Sequence, residues 1–164
     1  MDKQKSVELP SHSMFRKFLV DAIHRHLDGT LPFISQMNDE LLFSEPLSNG
    51  RPLGEIVFHM LRSIEFYIRG ITEGVWEPAP YVFDSFTTSE SLLKQWHEMY
   101  TRAKTRLSLI LLSDLSRIIT SHSRPATVAE LLQEMLEHSI HHRGQLTVYL
   151  RLLDVEPTKI EYIV

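Results

Sequence analysis

The 164-residue chain contains no cysteine. Disulfides, thiolate metal sites and a cysteine nucleophile are therefore excluded together. No stretch approaches the roughly 20 consecutive apolar residues that a membrane span requires, so no membrane partnership is expected. The opening residues, MDKQKSVELPSHS, carry charges with no apolar segment behind them. Nothing there marks an export signal, and the cytoplasm is the expected compartment. Lysine and arginine never gather into a stripe, and the net charge is −4 with histidines neutral. Nucleic acid, whose binding rests on neutralised phosphates, is not an expected partner. Internal repeats and low-complexity runs are missing as well.

What remains is 43% apolar and 23% charged, the composition of an ordinary globular protein, and a length suited to one domain over residues 1–164. Met14, Phe15, Phe18, Leu19, Ala22, Ile23 and Leu27 recur at helical spacing. Asp28-Gly29 is expected to break that helix, with Thr30 and Pro32 restarting a short turn. A second helix is predicted from about Pro52 to Gly74. A third opens at a capping box, Thr87-x-x-Glu90, and presents Leu93, Trp96, Tyr100, Ala103, Leu107 and Leu111. A fourth opens at Thr127-x-x-Glu130 and runs to about Leu153. Between the last two, Ile118-Ile119-Thr120 can form a short extended piece. The expected fold class is all-α, a four-helix bundle, and two longer connections point to crossovers.

Nine histidines stand out. If a transition metal binds here, imidazole and carboxylate must hold it. A bare H-x-x-x-H match is weak, since chance gives roughly 0.4 such pairs in this composition. Position adds weight. His138 and His142 lie about 40° apart on the fourth helix at about 100° per residue, beside Leu131, Met135, Gln145, Tyr149 and Leu153. That stripe should turn both rings into the bundle, where unpaired imidazole is costly and a shared ion would relieve the cost. His59 is the natural third ligand, inward-facing between Ile56 and Phe66. Small Ser63 and Gly70 on that face leave room for an ion, a water or a substrate. Hydrogen-bonded core histidines are the competing reading of all three. His141 falls at the stripe's edge, His97 is a poor fourth ligand, and His12, His24, His26 and His122 read as surface or loop residues.

The segment His138-Ser-Ile-His-His142-Arg143-Gly144-Gln145, continuing through Leu150-Arg151-Leu152-Leu153 to Glu156-Pro157, resembles the signature of the DinB/YfiT-like superfamily. Leu53-Gly-Glu-Ile-Val-Phe-His59, followed by Arg62-Ser-Ile-Glu65-Phe66-Tyr67, resembles its other half, in the same order. The likeness spans nearly the whole chain. It implies a four-helix bundle, a zinc or nickel ion held by His59, His138 and His142, and a homodimer. It does not imply any relation to the translesion polymerase that shares the name. The activities it implies are thiol-dependent: transfer of bacillithiol or a related low-molecular-weight thiol to an electrophile, or mycothiol-dependent isomerisation. Two departures stand out. Asp154 occupies a position where many relatives have glycine just past the last helix, and the ending from Lys159 to Val164 finds no match.

Three neutral imidazoles would leave one divalent ion per chain its full charge and an open position, as in catalytic rather than structural sites. Zinc, nickel, iron and manganese all suit such a donor set. The first expectation is a thiol S-transferase acting on small molecules, its nucleophile arriving with the cosubstrate because the chain has no cysteine. The second is a hydrolase using metal-bound hydroxide. Glu134, one turn before His138, is then the carboxylate nearest the stripe, and Gln145 could orient water or substrate. The third is non-enzymatic metal or ligand binding. Arg143 is expected to point away from the site, as a surface or dimer-contact residue. The loop containing Trp76, Tyr81 and Phe83 is a candidate for part of the mouth, or for core or dimer contacts.

Overall fold

Apolar residues at three- and four-residue intervals produce four long helices: α1 (Ser11–Ser35), α3 (Leu53–Glu73), α4 (Ser89–Leu109) and α5 (Val128–Leu152). A one-turn helix, α2 (Asp39–Leu42), lies between the first two. The computed structural model describes residues 11–120 and 124–160, with side chains from Met14 onward. Helix α1 packs mainly on α4 and α5, and so does α3. The sequence neighbours α1 and α3, and likewise α4 and α5, therefore sit across the diagonals of the bundle. The connections from α1 to α3 and from α4 to α5 are crossovers, whereas the long one from α3 to α4, through Pro78 and Pro80, joins neighbouring helices. Between α4 and α5, β1 (Ile118–Ile119) pairs antiparallel with β2 (Ala126–Thr127), the extended piece expected there. Among the described residues no helix is long and apolar enough to cross a membrane.

Three local expectations fail for identifiable reasons. Asp28-Gly29 does not end α1, which continues through Pro32. Proline in a helix removes one hydrogen bond and glycine lowers propensity, a cost of a few kcal/mol. Burial outweighs it: Ile23 and Leu27 before the break, and Phe33 and Ile34 after it, are all core residues. Thr30 is fully buried and donates its hydroxyl hydrogen to the His26 carbonyl at 2.7 Å. The third helix starts one residue later than expected, with Thr88 and Ser91 forming the reciprocal cap in place of Thr87 and Glu90. Asp39 fixes that register by accepting from the Ser89 backbone and hydroxyl at 2.7 and 2.8 Å. The buried face accordingly carries Leu92, Trp96, Met99, Ala103 and Leu107, while Leu111 lies beyond the helix and is exposed.

Other signals act as read. Thr127 and Glu130 cap α5 reciprocally, with Glu130 accepting from the Thr127 backbone at 2.7 Å. Gly74 ends α3 in the left-handed conformation (φ 72°), which costs glycine little. Asp154 takes the same conformation just past α5 (φ 58°) and replaces the usual glycine at tolerable strain.

Candidate metal centre

The first two turns of α3 are pinned by close packing. A Cβ on Gly54 would meet the Leu42 carbonyl oxygen at 2.7 Å, so the chain can approach α2 closely only with glycine there. Ile56, Val57, Met60 and Leu61 bury the inner face. His59, next to that face, is left at the boundary between core and solvent. On α5 the residues Leu131, Met135, Leu146 and Leu150 do the same work, and His138 and His142 occupy the corresponding boundary one turn apart. Helices α3 and α5 make the most extensive contact in the bundle, which brings the three rings together at its mouth rather than in its interior.

Their Nε2 atoms converge. His138 Nε2 lies 3.2 Å from that of His59 and 3.1 Å from that of His142, and the three ligand atoms all fall within 4.8 Å of one another. Zinc–imidazole bonds of about 2.0–2.1 Å put tetrahedral donors about 3.3 Å apart and octahedral ones about 3.0 Å apart. The spacing thus suits a first-row divalent ion. The group could hold a metal, and among the described residues it is the one His, Cys, Asp or Glu cluster of that kind.

Tautomer and protonation agree with that role. An amide oxygen can only accept, so Nδ1 of His142 donates to Oε1 of Gln145 at 2.6 Å and Nε2 keeps its lone pair for the site. Burial, followed by the neighbouring charges of His142 and His59, lowers the pKa of His138 to about 4. Burial also lowers His59, helped by His142, Arg51 and Arg62. His142 is lowered mainly by burial, against a smaller opposing effect of the Gln145 hydrogen bond. At neutral pH all three rings are therefore neutral, as ligation requires.

The cluster faces two openings. One, of about 320 Å³, is lined by His59 and His142 together with Asn49, Arg51, Gln145 and Tyr149. The other, of about 380 Å³, is lined by His59 and His138 with Arg62, Ser63, Phe66, Tyr67 and Pro78. Larger cavities exist, such as one of about 590 Å³ between α1 and the segment after α5. None of the three clustered histidines reaches it.

Glu134 lines neither opening at the histidines and is engaged by Arg124 in an ion pair at the surface. Gln145 reaches the site through His142. Gly70 leaves no room for substrate, because the Trp76 ring fills the space a side chain would take. Tyr81 donates its hydroxyl hydrogen to the buried Glu65 carboxylate, which also pairs with Arg102 at 3.1 Å. Phe83 packs on Phe58 and Phe43. Of the loop after α3, Pro78 lines the mouth in place of the three aromatics expected there.

Two residues read as superficial are buried. His26 donates to or accepts from the Ser139 hydroxyl at 2.7 Å between α1 and α5, and burial followed by the nearby Arg143 charge lowers its pKa to about 3. Arg143 lies under the same helix pair and reaches the His26 carbonyl at 3.4 Å. The periodicity of α5 undercounts this second polar layer because serine and arginine do not register as core. His97 is exposed and His24 partly buried. The side chain of His12, all of His122 and residues 161–164 lie outside the described residues. Sequence reasoning also missed Arg51 and Arg62. Arg62 had a signal, standing three residues past His59 on one helix face; Arg51 sits in a linker, where periodicity is silent.

The chain is similar in sequence and fold to known proteins. An uncharacterised protein of Bacillus subtilis strain 168, YjoA, is 29% identical over 127 residues, which span 77% of this chain and 82% of that one. The crystal structure of that DinB-like protein superposes with a TM-score of 0.72 at 25% identity, covering 87% of this chain and 96% of its own. A DinB-like protein from Bacillus cereus ATCC 10987 shares the fold, with a TM-score of 0.74 at 22% identity over 87% of this chain and 95% of that one. Residues 14–164 match the DinB family over both histidine segments, and the chain belongs to that family.

Proposed function

We propose that the protein is a metal-dependent transferase that joins a low-molecular-weight thiol of the bacillithiol type to a small electrophile, with His59, His138 and His142 as the ligands of one divalent ion. The observation that carries this reading is the convergence of three neutral imidazole nitrogens at an open mouth, with no fourth protein ligand beside them among the described residues. When bound there, the ion would supply the charge that keeps a thiol ionised at neutral pH. His142 is oriented by Gln145, and the openings on either side of the cluster admit two reactants from different directions. A chain without cysteine must take its sulfur nucleophile from a cosubstrate.

Hydrolysis has less support. A hydrolase needs a base or acid within reach of the attacked bond, and Glu134 is occupied by Arg124. We assign no proton transfer to it. Zinc or nickel suits the donor set, and small molecules suit the size of the openings.

The test is to load purified protein with zinc or nickel and incubate it with bacillithiol and a panel of electrophiles. Thiol loss that requires the metal, and that is absent in His138→Ala, is the expected result. No consumption across the panel by fully loaded protein would overturn the assignment and leave metal or ligand binding as the function.

A further inference from the structure

The two openings differ in chemistry. On the His138 side the lining is aromatic and apolar, with Phe66, Tyr67 and Pro78, and the Arg62 guanidinium there is already stacked over the Phe58 ring at 5.4 Å. On the His142 side the lining is mainly polar. It offers the Asn49 amide, the Tyr149 hydroxyl, the Gln145 amide and the Arg51 guanidinium. No carboxylate lines either opening, and Arg51 has no acidic ion-pair partner among the described residues. The local turn is tight: a Cβ on Gly50 would meet the Tyr149 hydroxyl at 2.8 Å. The Tyr149 hydroxyl also lies 3.5 Å from the Arg51 backbone nitrogen. Arg51 is thus carried on a segment packed against α5 and is itself exposed at the edge of the cavity.

We propose that the Arg51 opening binds the carboxylate of a substrate, with Arg51 as the residue that recognises it. Guanidinium is the donor best matched to a carboxylate, because its parallel N–H groups can engage both oxygens. The neutral donors of Asn49 and Tyr149 complete a polar set that no other part of the mouth repeats. An uncompensated cation beside the histidines favours an anionic visitor over a cationic one. The proposal deepens the thiol-transfer reading, in that the carboxylate then belongs to a thiol whose sulfur lies toward the histidines. Carboxylate recognition itself does not depend on that sulfur.

Two titrations separate these claims. In the metal-free protein, propanoate and propanamide are added while backbone and side-chain amide NMR signals are followed. Propanoate should shift Gly50, Arg51 and the Gln145 side-chain amide in a saturable way; propanamide should not, and Arg51→Gln should abolish the effect. In cobalt-loaded protein, 3-mercaptopropanoate and its methyl ester are compared through the sulfur-to-cobalt charge-transfer band. The acid should bind about tenfold more tightly than the ester, the worth of one charge-assisted contact. Arg51→Gln should erase that preference, whereas Arg62→Gln should keep it. Equal responses to propanoate and propanamide, or a preference that survives Arg51→Gln, would overturn the inference. A charge-transfer band absent with both thiols, beside an intact propanoate response, would overturn thiol ligation and leave carboxylate recognition standing.

Discussion

Two glycines inside helices, Gly70 on α3 and Gly144 on α5, allow a controlled comparison. Replacing glycine by alanine in a helix interior gains about 1 kcal/mol of propensity at either site. At Gly144 nothing lies within 4 Å of the new methyl group, so the gain should appear whole. At Gly70 the methyl carbon would lie 2.5 Å from Cε2 of Trp76 and closer to two further ring carbons. The indole is a rigid plate that packs edge-on against Phe66 and Tyr67 with centroids 5.3 and 6.4 Å away, so it cannot yield by rotating one bond. Overpacking of this kind costs about 1–3 kcal/mol, which leaves Gly70→Ala destabilised by up to about 2 kcal/mol after the propensity gain. Urea unfolding at pH 7 of wild type and both variants measures the difference. The opposite signs are the prediction. Equal stabilisation of both variants would show that Trp76 does not rest on Gly70, and the packing of Trp76 against Phe66 and Tyr67 would have to be redrawn.

Gln145→Leu should weaken metal binding about 10–100-fold without removing a ligand, because His142 loses the acceptor that sets its tautomer; chelator competition reads this directly, and an unchanged affinity would refute the positioning role. His26 is neutral in the fold, with a pKa of about 3 against 6.5 for the free side chain. The unfolded chain therefore binds more protons between those values, so stability is complete above about pH 6.5 and is lost on acidification toward 3. From pH 7 to 5 this group alone should cost about 2 kcal/mol, and the pH dependence in His26→Gln should be correspondingly flatter. Because burial lowers the pKa of all three rings, metal occupancy should be full at neutral pH and fall on acidification as the rings take up protons; metal content that stays flat down to about pH 4 would contradict histidine ligation. Arg102→Leu strands the buried Glu65 carboxylate, which keeps only the Tyr81 hydroxyl, and should destabilise the protein by about 3 kcal/mol in thermal or urea unfolding.

The sequence carried the helices wherever apolar spacing and caps agreed, as at Thr127 and Gly74, and the His138–His142 pair with His59 because both lie on strongly periodic segments. It misled where tertiary packing overrode a local signal. Gly29 and Pro32 look like a break only until Phe33 and Ile34 are seen to be core. It was also silent about groups whose roles depend on the partner helix. His26 and Arg143 have no local mark of burial; they become a layer only when α1 lies on α5. Glu134 is near the histidine stripe in sequence, but Arg124, ten residues earlier, turns it to the surface. Arg51 belongs to no helix, and its position at the mouth follows from the fold of the linker against Tyr149.

The central claim is that His59, His138 and His142 hold one ion. The direct measurement is elemental mass spectrometry of untagged protein purified without added metal, alongside His59→Ala and His142→Ala. The account predicts about one ion per chain in the wild type and its loss in both variants, with each variant still folded by circular dichroism. Wild-type protein that takes up no metal even after incubation with zinc or nickel, or variants that keep it in full, would contradict it.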